Sequence, residues 1–251
     1  MLSGSPRVAP ANTVVGIIAP HAGYMYSGET AAKAYAQVAG EQRQVVVVVS
    51  PSHREYFEGV SVFSGDAYAT PLGVVPIGVS LRTRLVKESS IEMSTAGHGE
   101  EHALEVQLPF LQCALSSFAL LPLVMGNQSR EECLELGKTL GRLLQGTDAL
   151  LVASSDLSHF HPAAVGTRLD AVVAQDLERF DAEGLMSDLE TGRAEACGGG
   201  PAVAVMVAGR MLGGQTLRVL HRTHSGVITG DNTSVVGYLS AIIQRPGDVS
   251  E

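Results

Sequence analysis

Val45-Val46-Val47-Val48-Val49 is a run of β-branched residues with no polar alternation, followed at once by Ser50-Pro51-Ser52-His53. A strand with one wet face alternates apolar and polar residues; a strand buried on both faces does not. Val14-Val15-Gly16-Ile17-Ile18-Ala19 has the same character, and Ala149–Ala153 is a third apolar run of similar length. Between the first two lies an Ala-rich helical stretch, Gly28–Val38, with Lys33 facing outward. Further helices are expected over Glu100–Leu115, Ser129–Leu144, Ala163–Arg179 and Pro201–Leu212, with Pro109 kinking or shortening the first. Phe118–Val124, Thr216–Thr223 and Ser234–Ser240 read as strands. The last two are separated by an exposed turn at Thr229–Asn232, and the tail Arg245–Glu251 is expected to fray. This alternation predicts an α/β fold with a mostly parallel central sheet flanked by helices. No repeat or linker interrupts the pattern, so residues 1–251 are expected to form one domain.

Composition narrows the function classes. Apolar residues make up 45% of the 251, enough for a large aliphatic core. Asp and Glu number 26 against 17 Lys and Arg, for a net charge of -9, which argues against a nucleic-acid partner. The three cysteines, Cys113, Cys133 and Cys197, show no CxxC spacing and fit a reducing compartment. Met1–Asn12 lacks the pattern of a signal peptide. The longest apolar stretches, Val45–Val49 and Ala202–Ala208, are too short to span a bilayer. The expectation is a soluble cytoplasmic protein without membrane association.

In such sheets the loops after the carboxyl ends of the strands meet in one crevice. The loop after Ala19 reads Pro20-His21-Ala22-Gly23-Tyr24, and the loop after Val49 carries His53. Two histidines on proline-fixed turns are either metal ligands or ordinary loop residues. The loop after Ala153 reads Ser154-Ser155-Asp156-Leu157-Ser158-His159. Here Asp156 suits a helix cap, or His159 an acid/base role beside a metal. Cys197 opens a Gly-rich turn before a helix. The helix dipole would favour a thiolate there, as a ligand or nucleophile; the alternative is a small apolar filler. His98-Gly99-Glu100-Glu101-His102 fits the H-x-x-E-H pattern of zinc peptidases, which needs both histidines on one helix face. Otherwise Glu100 and Glu101 complement a helix dipole.

These motifs together resemble the Memo family, in its prokaryotic form the B protein of the AmmeMemoRadiSam system. The resemblance rests on Ala19–Gly28, Ser50–His53, Glu101–Phe110, Ser154–His159, Cys197-Gly198 and Ser234–Tyr238, spanning nearly the whole chain. It implies a sandwich like that of class III extradiol dioxygenases. It implies His21, His53 and Cys197 as metal ligands, His159 as the acid/base-like residue, and Asp156 beside it. His102, Tyr24 and Ser52 would line the pocket. A thiolate in place of the usual carboxylate softens the site, so iron or copper is expected, with zinc as the further candidate.

Three functions follow. The first is iron- or copper-dependent redox chemistry of a dioxygenase-like kind on a small substrate. The second is a catalytically vestigial module that captures a peptide or partner protein. The third is the zinc peptidase. By family association, the expected partners are the A component and the radical-SAM protein of the same system.

Overall fold

The computed structural model describes residues 1–247; residues 248–251 of the tail lie outside it. The β-branched runs form the middle of the sheet. β1 (Val14–Ala19), β2 (Val45–Pro51), β7 (Ala119–Met125) and β8 (Ala149–Ser154) pair in parallel in the order β1-β8-β2-β7. All residues of β1, β2 and β8 are buried.

The alternation missing from the sequence reappears as a division between two cores. Val47, Val49, Leu121, Leu123 and Leu151 face one apolar cluster. Val46, Val48, Leu120, Val124 and Leu150 face the other. Helices cover both faces. On one side lie α4 (Arg130–Leu143) and α7 (Gly199–Met211); on the other, α1 (Tyr24–Tyr35) and α3 (Gln107–Ala114). The α4–α7 contact is close because Gly137 has no side chain; a Cβ there would sit 2.6 Å from Val207 Cβ. α5 (Ala163–Glu178) and α6 (Ala182–Glu190) extend the first layer.

The flanks of the sheet are antiparallel. β10 (Thr216–His224) and β11 (Val235–Gln244) form a hairpin, and β11 pairs with β1. The connection between them holds the single turn α8 (Gly226–Thr229), ending at Gly230 with φ 77°. At the other flank β3 (Val60–Phe63) runs antiparallel to β7 and parallel to β6 (Glu92–Ser94). A small hairpin, β4 (Ala67–Thr70) with β5 (Gly73–Pro76), and α2 (Val79–Glu88) complete this part. The sheet is thus parallel at its centre and mixed overall. No described helix is long and apolar enough to cross a membrane.

The helix expected from Glu100 begins only at Gln107. Pro109 sits in its first turn, where a missing N–H is tolerated. Residues 98–102 are therefore not helical, and Gly99 is exposed. The zinc-peptidase reading is corrected on that ground. His98 instead bonds the Tyr68 hydroxyl at 2.6 Å.

Candidate metal centre

The parallel register builds the centre. Ala19 pairs with Ser154, so His21 and Asp156 each stand two residues beyond matched strand ends. Asp156 Oδ1 accepts the backbone N–H groups of His21 (2.8 Å) and Ala22 (3.3 Å). β2 delivers His53, after Ser52 bonds its N–H to Met125 O and its hydroxyl to Glu55 O. The segment between β6 and α3 delivers Glu101 and His102.

His21, His53 and His102 each offer a ligand atom, and the three atoms lie within 4.8 Å of one another. Their rings are 5.1–5.7 Å apart between centroids.

Hydrogen bonds orient the rings. Ser154 Oγ donates to Ala103 O (2.6 Å), accepts from Gln107 Nε2 (2.7 Å), and stands 2.9 Å from His21 Nδ1. Its single proton is already given, so His21 Nδ1 must carry the hydrogen and Nε2 keeps its lone pair. Glu101 does the same for His53. Its Oε1 takes His53 Nδ1–H (3.0 Å) and Ala103 N–H (2.9 Å), and its Oε2 takes the His53 backbone N–H. Oε1 also lies 3.4 Å from His102 Nδ1. The carboxylate thus turns the His53 ring so that its Nε2 is free, and lies against the His102 ring. These bonds hold the Glu101 carboxyl down at about 2 against the opposing effect of its burial. Burial, then the neighbouring His53 and His102, lowers His21 to about 3, so its ring is neutral.

Cys197 comes from the turn before α7. Its Sγ lies 3.2 Å from His21 Nε2 and accepts the Asp156 N–H at 3.3 Å. Gly198 is obligatory for this approach, since a Cβ there would sit 2.0 Å from Ser154 O. The cysteine is not, however, a thiolate favoured by the helix dipole. Burial first, and the Asp156 charge second, push its thiol up to about 12. Desolvation outweighs half a charge at a helix end. Burial also raises Asp156 to about 6, and its Oδ2 stands 3.9 Å from His21 Nε2.

His159 starts β9 (His159–His161), which pairs with β11. Phe160 is the unpaired residue between them, at φ 62°, so the strand bulges at this point. The half-buried His159 ring is lowered first by its burial. His159 and Cys197 line one cavity of about 480 Å³. His161 does not reach freely into solvent; its Nε2 bonds Glu195 at 2.8 Å.

The structure therefore brings His21, His53, His102, Cys197 and Asp156 together, with His159 alongside. Tyr24 bonds Val106 O at 3.0 Å and lines a separate cleft with Glu105 and Thr70. Ser52 is occupied within its own loop. The orienting roles of Glu101, Gln107 and Ser154 are legible only in the structure. Their signal in the sequence is their place in the Glu101–Phe110 and Ser154–His159 segments, which does not state their roles.

The family model described as Memo-like protein matches residues 3–242. A MEMO1 family protein of Methanosarcina mazei is 37% identical over 92% of this chain and 86% of its own. One from Aquifex aeolicus is 39% identical over 90% and 84%. The crystal structure of an uncharacterized protein of Escherichia coli K12 shares the fold, with a TM-score of 0.54 at 18% identity, covering 91% of this chain and 98% of that one. On the family model and these identities, the chain belongs to the Memo family.

Proposed function

We propose that the chain binds one transition-metal ion through His21, His53 and His102, with Cys197 as the fourth donor, and uses it in redox chemistry on a small substrate. The observation that carries this reading is the convergence of three imidazole ligand atoms within 4.8 Å, two of them with Nδ1 already committed. The donor set fits a metal. A buried, neutral His21 ring with a free Nε2, beside a His53 ring whose Nδ1 is held by the Glu101 carboxylate, is what a nitrogen-ligated ion requires. A sulfur 3.2 Å from His21 Nε2 adds a soft ligand suited to copper, zinc or iron.

Once bound, the ion would supply Lewis acidity or electron transfer. The protein's own residues do the remaining work. His159 lines the cavity beside Cys197 and would give or take a proton from a substrate there. Asp156 Oδ2 faces His21 and would hold a proton or a polar substrate group. Leu157 and Met186 would keep water from that wall.

Anaerobic titration with Fe(II), Cu(I), Zn(II) and Co(II) tests the reading. Wild type should take up one ion, and the His21→Ala/His53→Ala protein none. Equal uptake by both would refute it. Cys197→Ser should abolish a Co(II)–thiolate absorption band while leaving the three-histidine site able to bind.

A further inference from the structure

The cavity that reaches Cys197 and His159 has a distinct chemistry. Its volume, about 480 Å³, suits a small organic molecule. Leu157, Met186 and Ala194, all buried, and the half-buried Leu189 form apolar wall. The charged side chains that line it are Glu190 and Glu195; no Lys or Arg is among its described lining residues.

The cation that meets Glu190 is already committed. Arg130 does not line the cavity. Its guanidinium bonds Glu190 Oε2 at 2.7 Å, Glu183 Oε2 at 2.5 Å and Ser187 Oγ at 2.9 Å. Glu190 is therefore already paired with a cation. Glu195 is different: its partner is the imidazole of His161, at 2.8 and 3.0 Å, and its carboxylate is half-buried. His159, the remaining titratable nitrogen in the lining, has its ring held toward the neutral form by burial. A carboxylate or phosphate entering here would lose water and find no counter-charge. An ammonium would find Glu195.

We propose that this cavity is the substrate entrance of the metal centre and selects a small apolar body bearing an amine or neutral polar end over its anionic counterpart, with Glu195 as the specificity-determining residue. The inference rests on the metal-centre reading for what happens to the molecule's reactive end, but the selectivity belongs to the cavity alone. It can be measured with probes that do not chelate metal.

The probes are 2-phenylethylamine, 2-phenylethanol and phenylacetate, which share an aromatic body and differ in charge. Calorimetric titration of the full chain, metal-free and zinc-loaded, at about pH 8 and about 0.15 M salt, gives their affinities. The amine should bind about tenfold tighter than the acid, with the alcohol between. Glu195→Gln should shrink the amine-to-acid ratio to about threefold or less. Ala196→Phe, which projects a ring from the cavity lining, should abolish binding of all three while circular dichroism shows a folded chain. Phenylacetate binding as tightly as the amine, an unchanged ratio in Glu195→Gln, or no binding by any probe overturns the inference. Protein that takes up no metal yet keeps the amine preference refutes the metal centre and leaves the cavity's selectivity standing. Protein that takes up metal without the preference does the reverse.

Discussion

Replacing Glu101 by glutamine tests the orientation of the centre most sharply. The substitution keeps size and removes one charge. Glu101 is 5% exposed, and both its oxygens face N–H donors: Oε1 faces His53 Nδ1 and Ala103 N, and Oε2 faces His53 N. Whichever way the new amide turns, its NH₂ group confronts a donor, and one charge-assisted bond is replaced by a donor–donor contact. If the NH₂ faces His53 Nδ1, the ring must move its proton to Nε2, the atom needed for the metal. If it faces the backbone N–H of His53, the β2 loop must shift and carry the ring with it.

A hydrogen bond to a charged group contributes about 1.5–3 kcal/mol. Orienting partners of this kind typically change metal affinity by about 10–100-fold. Glu101→Gln should therefore weaken binding by about 1.4–2.8 kcal/mol and lower the stability of the metal-free protein by a similar amount. Competition with a chromophoric chelator measures the first, and urea unfolding the second. An affinity within about twofold of wild type would show that the carboxylate does not set the rings, and the orientation argument would fail.

Two further substitutions probe other parts of the molecule. Gly198→Ala places a Cβ 2.0 Å from Ser154 O and 2.7 Å from Ser155 Cβ, so the Cys197 turn must retreat; a loss of about 2–3 kcal/mol in urea unfolding and disappearance of the Co(II)–thiolate band are expected. Asp176 is raised from 3.8 to about 6, first by burial and then by Asp188, and its Oδ2 has no hydrogen-bond partner. A carboxyl whose folded pKa is raised binds more protons folded than unfolded, so its contribution is full below about 3.8 and lost as pH rises through about 6. Asp176→Asn should thus stabilise the protein by about 1–2 kcal/mol at neutral pH, with the gain fading as pH falls from about 6 and gone below about 4; a gain that persists undiminished under acid would contradict that assignment.

The central strands that were legible in the sequence share one property: their pattern was imposed by burial on both faces. Val45–Val49 and Val14–Ala19 could only be central strands, and they are. Ser129 was a legible helix start because its hydroxyl caps Glu132 N. Residues between His53 and Glu100 were not legible. Their strands are three or four residues long, partly exposed and paired in a flank, so no period develops. The false helix start at Glu100 has a specific cause. In the sequence Glu101 suits a helix dipole, yet its carboxylate is taken by His53 and by the Ala103 N–H, which holds the chain out of the helix until Gln107. For the centre, His21 and His53 were signalled by their strand exits. His102 was indicated as a pocket residue only by resemblance, because its place among the ligands depends on a long-range contact that spacing does not encode.

The protonation of the Cys197 thiol decides whether it joins the ligand set. Hydrogen bonding engages the Nδ1 atoms of His21 and His53, and the buried His21 ring is neutral with its Nε2 lone pair free, so an ion can enter on that ring without expelling a proton. The Cys197 thiol is pushed up to about 12, so it enters any binding event protonated and must lose that proton to ligate. Asp156, at about 6, is mostly ionised above about pH 7 and contributes little release there. Calorimetry of Zn(II) binding in buffers of different ionisation enthalpy, at about pH 8, then counts the protons directly. Close to one proton released per ion, falling to zero in Cys197→Ser, is the result expected of a site with three imidazoles and a thiolate. No release from wild type would leave the histidines as the whole ligand set and remove the sulfur from the proposed centre.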